Sequence, residues 1–208
     1  MAPQGANDGL TKPTWLGLAL TCLTLVPFPA FAHTGVGATA GFALGFLHPL
    51  TGLDHVLAMT MVGVLAWQLG GRALWLLPAA FVLVMALGGA LGVAGVGVPF
   101  VETGIALSVI VLGAIVAFGV KPPLAAMLGA VGLFAVCHGH AHGSEMPETA
   151  VGVGYGLGFM LATAILHAAG IGLGFVIGRI GESRGPVIVR ASGALAAFAG
   201  VAILAGLV

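Results

Sequence analysis

Charged side chains are scarce in this sequence: six basic and six acidic residues are spread over 208 positions. A soluble domain carries about 25% charged residues, so these few charges cannot provide a water-facing surface for the chain. The sequence has no basic cluster, which excludes a nucleic-acid partner of the usual kind. It has no P-loop segment, so the chain does not use ATP in that manner, and no ATPase subunit can be identified from it. Two cysteines, Cys22 and Cys137, give no disulfide framework.

Apolar residues make up 60% of the sequence, and 36 residues are glycine. The apolar runs are long and continuous, which is typical of membrane-spanning helices, whereas the strands of a membrane barrel would alternate. The sequence therefore predicts an all-α, polytopic transmembrane helical bundle. After the N-terminal region, the apolar segments are 36–47, 53–69, 74–95, 101–120, 123–139, 150–178 and 187–207.

Residues 1–32 have the parts of a cleavable signal peptide: a polar start that ends in Lys12, an apolar core, and Ala30-Phe31-Ala32 before the cleavage point. The alternative is an uncleaved first transmembrane helix, because the start is only weakly basic. Cleavage would leave a single transmembrane helical domain, residues 33–208. His33 would then be either a chelating N-terminal residue, through its amine and imidazole, or simply an exposed end.

The number of crossings depends on residues 36–47, which are fewer than the roughly 20 needed to span a bilayer. Pro49 and Gly52 separate them from the next segment. We therefore interpret 36–69 as one element interrupted between His48 and Asp54, which gives about six crossings.

Six crossings also satisfy the positive-inside rule, which a seventh crossing would reverse. The protein would lie in the bacterial cytoplasmic (inner) membrane, with its mature N-terminus on the outer side. The basic residues then fall on the cytoplasmic side: Arg72, Lys121, Arg179, Arg184 and Arg190. The acidic residues Glu102, Glu145 and Glu148 fall on the outer side.

The first polar motif is His48-Pro-Leu-Thr-Gly-Leu-Asp-His55. An Asp at the centre of a bilayer costs about 2.5–3.5 kcal/mol, so Asp54 needs a partner. We expect His48 to fold back towards Asp54, because consecutive helical residues such as Asp54 and His55 do not share a face. Capping of the following helix by Asp54 or Thr51 is the simpler alternative, but it leaves two histidines unexplained. The motif predicts a metal site formed by His48, Asp54 and His55.

The second polar motif is His138-Gly-His-Ala-His-Gly-Ser-Glu145. His138 and His142 share a helical face, and Glu145 joins them if the helix continues. Gly139 and Gly143 each disfavour a helix by about 1 kcal/mol relative to Ala, which favours an unwound segment. Two imidazoles and a carboxylate suit Ni²⁺, Co²⁺ or Zn²⁺. The alternative is a loop that is rich in histidine by chance.

Other polar residues are weaker candidates for the metal path. His140 points away from its two neighbours and is either a vestibule ligand or simply exposed. Glu102 lies at the start of a crossing. It either attracts the metal ion at the entrance or interacts favourably with the dipole at the helix N-terminus. His167 lies deep in the segment 150–178, and we expect a neutral imidazole bonded to a neighbouring helix. Cys137 is expected to be a small packing residue.

Glycines recur at four-residue spacing, a pattern that lets helices approach closely in lipid. The rows are Gly41/Gly45, Gly88/Gly92, Gly152/Gly156 and Gly170/Gly174/Gly178.

The two motifs resemble those of the HupE/UreJ family of nickel permeases. That family has His-Pro-x-x-Gly-x-Asp-His near its mature N-terminus and His-Gly-x-Ala-His-Gly-x-Glu in its middle. The resemblance covers the whole chain, including the signal sequence and the number of crossings. It implies import of Ni²⁺ for hydrogenase or urease. The principal metal-handling residues it implies are His48, Asp54, His55, His142 and Glu145.

The resemblance also covers Glu102, which is similar in placement to an acidic residue of the family. Cys137 departs from the family pattern, which often has Phe before the first histidine of the second motif. Some relatives look like cobalt or copper carriers.

These observations predict a secondary permease, not an enzyme. Its partners would be the lipid bilayer and a divalent metal ion, Ni²⁺ first, with Co²⁺, Zn²⁺ or Cu as alternatives. One rival hypothesis is an intramembrane Zn²⁺-dependent hydrolase with Asp54 as the base. Another is a metal sensor or haem-binding subunit with His167 as an axial ligand.

Overall fold

A computed structural model describes residues 38–146, 152–181 and 184–207 of the chain. These residues form α-helices α1 Ala38–Thr51, α2 Leu53–Leu69, α3 Ala73–Val93, α4 Val101–Phe118, α5 Leu124–Ser144, α6 Gly152–Gly178 and α7 Gly185–Leu204. The predicted signal peptide, 1–32, lies outside the described residues, as do His33 and Glu148. Within the described part the prediction of an all-α bundle is confirmed.

The first element is interrupted, as predicted, and the break is at Gly52. Helix α1 continues through Pro49 and ends at Thr51, and α2 begins at Leu53 after a bend of 83°. Gly52 has φ −91° and ψ 120°, an extended conformation that no helix can continue through. The glycine, and not the proline, is therefore the point at which the helix turns.

The number of candidate crossings also agrees with the prediction. Helices α3 to α7 are each long and apolar enough to span a bilayer, and the bent pair α1–α2 provides a sixth span if it is counted as one. Large apolar side chains are exposed on these helices: Leu83 is 62% exposed, Leu133 66% and Leu195 71%. Exposed apolar surface on every side is what a bilayer, and not water, accommodates.

Helices α3 and α5 pack with their backbones in contact, because glycines face each other across the pair. A Cβ added at Gly139 would meet the carbonyl oxygen of Met85, and one at Gly143 would meet that of Gly89. Glycines of α3 face α5 in the same way: a Cβ at Gly92 would meet the carbonyl oxygen of His140. The predicted packing role of Gly88 and Gly92 is confirmed, since Gly88 meets the backbone of Val136 in the same way.

Helix α6 lies against both arms of the bent element. Gly158 faces the carbonyl oxygen of Phe42 in α1, and Gly170 faces the carbonyl oxygen of Thr60 in α2. Gly45 of α1 likewise meets the backbone of Tyr155. The predicted Gly152/Gly156 row is an exception, because a Cβ at Gly152 would meet only the Met146 side chain at 3.7 Å and one at Gly156 would meet nothing within 4 Å.

Basic side chains gather at the end of the bundle where α2 finishes and α5 begins. Arg72 and Lys121 line one cavity of about 260 Å³ there, and Lys121 and Arg190 line another of about 340 Å³. The Gln68 side-chain amide donates a hydrogen bond to the Val120 carbonyl at 3.1 Å, which ties α2 to the α4–α5 loop. The two polar motifs lie at the opposite end, where α2 begins and α5 finishes.

Candidate metal site

The two polar motifs come together in space, although about ninety residues separate them in the sequence. The ring centroid of His142 lies 4.6 Å from that of His48 and 4.4 Å from that of His55. The His55 and His138 centroids are 4.8 Å apart. These four residues are called the histidine cluster below. Its members come from α1, α2 and α5, and the break at Gly52 is what turns His48 and His55 towards the same helix.

The cluster runs from an open mouth to a buried floor. At the mouth, His48 Nε2 lies 3.3 Å from Glu145 Oε2, and these side chains are 35% and 58% exposed. His142 is 2% exposed and His138 is fully buried. An ion that arrives at Glu145 and His48 would therefore meet less water with each further imidazole.

Asp54 is paired with His55, not with His48 as the sequence led us to expect. Its Oδ1 accepts the backbone N–H of His55 at 2.8 Å and lies 2.7 Å from His55 Nδ1. The backbone contact is possible because Asp54 is in the first turn of α2, where backbone N–H groups have no helical acceptor. The carboxylate that turns back to this N–H also reaches the ring of the same residue. The alternative, capping by Asp54 or Thr51, holds only in part: the N-cap residue is Gly52, Asp54 accepts one free N–H of the first turn, and Thr51 donates its hydroxyl to the carbonyl oxygen of His48.

The Asp54–His55 contact determines which nitrogen of His55 can bind a cation. Nδ1–H donates to the carboxylate, so Nε2 keeps its lone pair. Nε2 is buried and has no hydrogen-bond partner among the described residues. A carboxylate that holds one nitrogen of a histidine while the other faces a metal is a common arrangement, and it makes the imidazole a better ligand.

Ser108 of α4 orients His138 in a similar way. The hydroxyl donates to the carbonyl oxygen of Ile105 at 2.6 Å and lies 2.9 Å from His138 Nε2. A hydroxyl has one hydrogen, so its oxygen accepts Nε2–H of His138, and Nδ1 keeps the lone pair. Nδ1 is buried without a partner among the described residues. Sequence reasoning missed Ser108, which is one small residue within an apolar helix.

His142 occupies the centre of the cluster. Both of its ring nitrogens are buried and lack hydrogen-bond partners in the described part of the chain. The phenyl ring of Phe159 covers it, with centroids 3.9 Å apart. Its position between His48 and His55 makes it the residue best placed to share an ion with either.

The rings are close but not yet arranged around a common point. Among the described His, Cys, Asp and Glu side chains, no group of three already has the geometry to hold a metal ion. Metal–nitrogen bonds are about 2.0–2.1 Å long, so the edge-on imidazoles would have to rotate to bind one.

The second motif is helical, so the expected unwound segment is wrong. Helix α5 continues to Ser144, and Glu145 follows as its C-cap. Gly139 and Gly143 lie where the α3 backbone is in contact, as described above, and the packing they allow offsets their low helix propensity. His138 and His142 consequently share one face, as predicted from their spacing.

The weaker candidates lie at the same end of the bundle, outside the cluster. His140 Nε2 donates to the carbonyl oxygen of Val96 at 2.8 Å, on the side facing the α3–α4 loop. Glu102 is exposed in the first turn of α4. Cys137 is buried and packs with Ile105, which confirms its predicted packing role.

His167 differs from expectation. It is 1% exposed, and neither ring nitrogen has a hydrogen-bond partner among the described residues. The hydrogen-bonded imidazole expected from the sequence is therefore wrong. Leaving a buried polar group without a partner costs about 1–3 kcal/mol. The ring of Phe81 lies edge-on to His167, with centroids 5.1 Å apart.

Comparisons with known proteins agree with the motifs. The family model described as "HupE / UreJ protein" matches residues 20–203. Protein HupE of Rhizobium leguminosarum bv. viciae is 48% identical over 187 residues, which cover 89% of this chain and 96% of that protein. No solved structure matches the chain. A match of this extent identifies the chain as a multi-pass membrane protein that belongs to the HupE/UreJ family.

Proposed function

We propose that the protein is a secondary permease that takes up Ni²⁺ across the bacterial cytoplasmic membrane for the maturation of hydrogenase or urease. The observation that carries this proposal is the histidine cluster, in which three imidazoles have buried nitrogens without a hydrogen-bond partner among the described residues. Such a cluster is costly in an apolar bundle unless a cation uses it. Membership of the HupE/UreJ family supports transport of a metal ion.

The donor set favours a borderline divalent ion. Imidazole nitrogen suits Ni²⁺, Co²⁺, Zn²⁺ and Cu²⁺, whereas Mg²⁺, Ca²⁺ and Mn²⁺ prefer carboxylate, carbonyl and water oxygens. The cluster has four imidazoles, and among the described residues the carboxylate of Glu145 lies at its mouth, 3.3 Å from His48. Ni²⁺ is our first choice because of the family motifs, with Co²⁺, Zn²⁺ and Cu as alternatives.

In the proposed mechanism Glu145 and His48 capture the hydrated ion, and His142 and His55 replace its waters. Asp54 acts as a positioning residue, because its carboxylate holds His55 in the tautomer that presents Nε2. His138, held by Ser108, takes the ion at the buried floor of the cluster. Transporter sites at interrupted helices are recurrent, since a break frees backbone polar groups and lets side chains from both arms converge. Release requires loose binding, which agrees with imidazoles that are near each other without a fixed coordination sphere.

The orientation of the chain is part of the proposal. The histidine cluster would face outwards, and the Lys and Arg residues at the other end would face the cytoplasm, following the positive-inside rule. Residues 1–32 would be removed as a signal peptide, so the mature chain would begin at His33, outside. Intact-mass spectrometry of the purified protein tests this step, and a mass that includes Met1 would contradict it.

Two histidines on one helix give a matched test of the permease. Uptake of radioactive nickel should fall at least about ten-fold in His142→Ala, as expected when a metal-binding group is lost. His140→Ala should keep uptake within about two-fold of the wild type, since His140 is bonded to Val96 outside the cluster. Equal uptake by the wild type and by His142→Ala would refute the proposed path.

A further inference from the structure

Four residues at four-residue spacing form one face of α6: Tyr155, Phe159, Thr163 and His167. All four are buried, and their spacing places them above one another along the helix. At a rise of 1.5 Å per residue, His167 is about 18 Å further along the helix than Tyr155. The face therefore extends from the mouth of the histidine cluster to the middle of the bundle.

Each residue of this face contacts either a histidine of the cluster or a buried side chain deeper in the bundle. Tyr155 lies beside His48, with ring centroids 6.1 Å apart, and Phe159 covers His142. Deeper in the bundle, the Thr163 hydroxyl lies 3.7 Å from the sulfur of Met85. His167 follows one helical turn later and contacts Phe81.

Phe81 connects the floor of the cluster with His167. Its ring centroid lies 5.6 Å from that of His138 and 5.1 Å from that of His167. The deepest imidazole of the cluster and the unbonded imidazole of α6 thus contact the same phenyl ring. Phe81 is itself fully buried, as are the two imidazoles, so these three rings are shielded from bulk water.

We propose that His167 is an inner binding position for the transported ion, which passes from His138 beside Phe81 to the imidazole of His167. This inference rests on the proposed permease function. Neither nitrogen of the buried His167 imidazole has a hydrogen-bond partner among the described residues, so the nitrogen that carries the lone pair can bind a dehydrated cation. The Met85 thioether and the Thr163 hydroxyl lie one turn before it on the same route.

The inner position would also contribute to ion selection. A nitrogen and a thioether suit softer transition-metal ions such as Ni²⁺ or Cu, whereas Mg²⁺ and Ca²⁺ would find one hydroxyl oxygen among these three side chains. Hard cations that reach the mouth through Glu145 would therefore be rejected further in.

The test uses the full chain in proteoliposomes, with radioactive Ni²⁺ uptake and equilibrium Ni²⁺ binding measured on the same preparations. His167→Leu should reduce uptake at least about ten-fold. Its binding at the outer cluster should stay within about two-fold of the wild type, because the ring contact of His167 is with Phe81 and not with any of the four cluster rings. His142→Ala should lose both binding and uptake.

A second variant and a stability measurement separate transport from structure. Leu fills the site of an unbonded imidazole without losing a hydrogen bond, so His167→Leu should fold and melt at or above the wild-type temperature. His167→Met, which keeps a soft donor, should recover part of the uptake. Ile165→Ala, two residues earlier on the exposed side of α6, is the control and should transport normally.

Unchanged uptake by His167→Leu, or loss of folded protein, would overturn the inner position. The second result would show that His167 serves the fold and not the ion. If the wild type itself transports no nickel, the proposed function fails as well, so the two failures are distinguishable.

Discussion

The first motif, His48 to His55, lies across a break in a helix, whereas the second, His138 to Glu145, lies almost entirely within a continuous helix. Both contain glycine between their histidines. In the first motif Gly52 is extended and lets the chain turn by 83°. In the second, Gly139 stays helical and allows the backbone of α3 to approach.

The difference shows that glycine has two separate uses beside a polar site in lipid. At Gly52 it changes the direction of the chain, so that residues before and after the bend face one partner helix. At Gly139 it brings two helices close together and fixes the height of His138 and His142. The first use shapes the site alone, while the second is part of the packing of the whole bundle.

The largest expected effect is a loss of stability when the close packing of α3 and α5 at Gly139 is disrupted. Gly139→Ala should destabilise the protein by about 1–3 kcal/mol or more, because the new Cβ meets the carbonyl oxygen of Met85, which cannot move without shifting α3. The measurement is the melting temperature and the amount of folded protein in detergent. Transport should be lost together with folding.

Gly129→Ala is the matched control on the same helix, since a Cβ at Gly129 would meet nothing within 4 Å. It should change stability by no more than about 1 kcal/mol and leave transport intact. Equal stability of the two variants would mean that α3 and α5 are not in backbone contact.

The next largest expected effect is a loss of metal affinity when the Asp54–His55 contact of the first motif is weakened. Asp54→Asn should weaken Ni²⁺ binding by about 10–100-fold, because the neutral amide no longer holds His55 with a charged acceptor. Isothermal titration calorimetry of the purified protein measures this affinity. Asp54→Glu, which retains the charge, should recover part of it, and full affinity in the Asn variant would exclude the positioning role.

The smallest effect should come from Gly52→Ala, which separates the two uses of glycine most clearly. Ala accepts the extended conformation of Gly52, so the protein should fold with nearly wild-type stability. Its Cβ would lie 2.7 Å from Asp54 Oδ1 and 2.9 Å from His55 Nδ1, and these flexible side chains must shift. We expect metal affinity to fall about ten-fold or less, as for a displaced orienting group. A loss of folding as large as that of Gly139→Ala would contradict the distinction.

Most of the fold could be predicted because glycine, proline and charged residues separate apolar runs of bilayer length. The end of α5 could not. Its helix propensity is low at Gly139 and Gly143, and what stabilises it is the α3 backbone, which no local pattern reveals. A single sequence contains no signal for which two glycine-bearing helices will be neighbours.

The histidines and Glu145 at the candidate site could be predicted from their spacing and from the rarity of polar residues. Ser108, Phe81 and Phe159 could not, because in lipid an apolar helix has no polar face to show which side points inwards. The partner of Asp54 was also missed. Helical geometry excludes contact between consecutive side chains on a regular face, but it does not apply to a carboxylate in the first turn, where it can bend back to free N–H groups.

Helix α6 touches both arms of the bent element, through Gly158 above the break and Gly170 below it. One continuous helix thus supports both arms and holds the angle of the α1–α2 bend. The opening at His48 and the depth at which His55 lies cannot be adjusted separately, because both arms rest on the same support. Substitutions along α6, a helix that contributes no residue to the histidine cluster, offer a way to retune which ion the cluster accepts without changing any of its imidazoles.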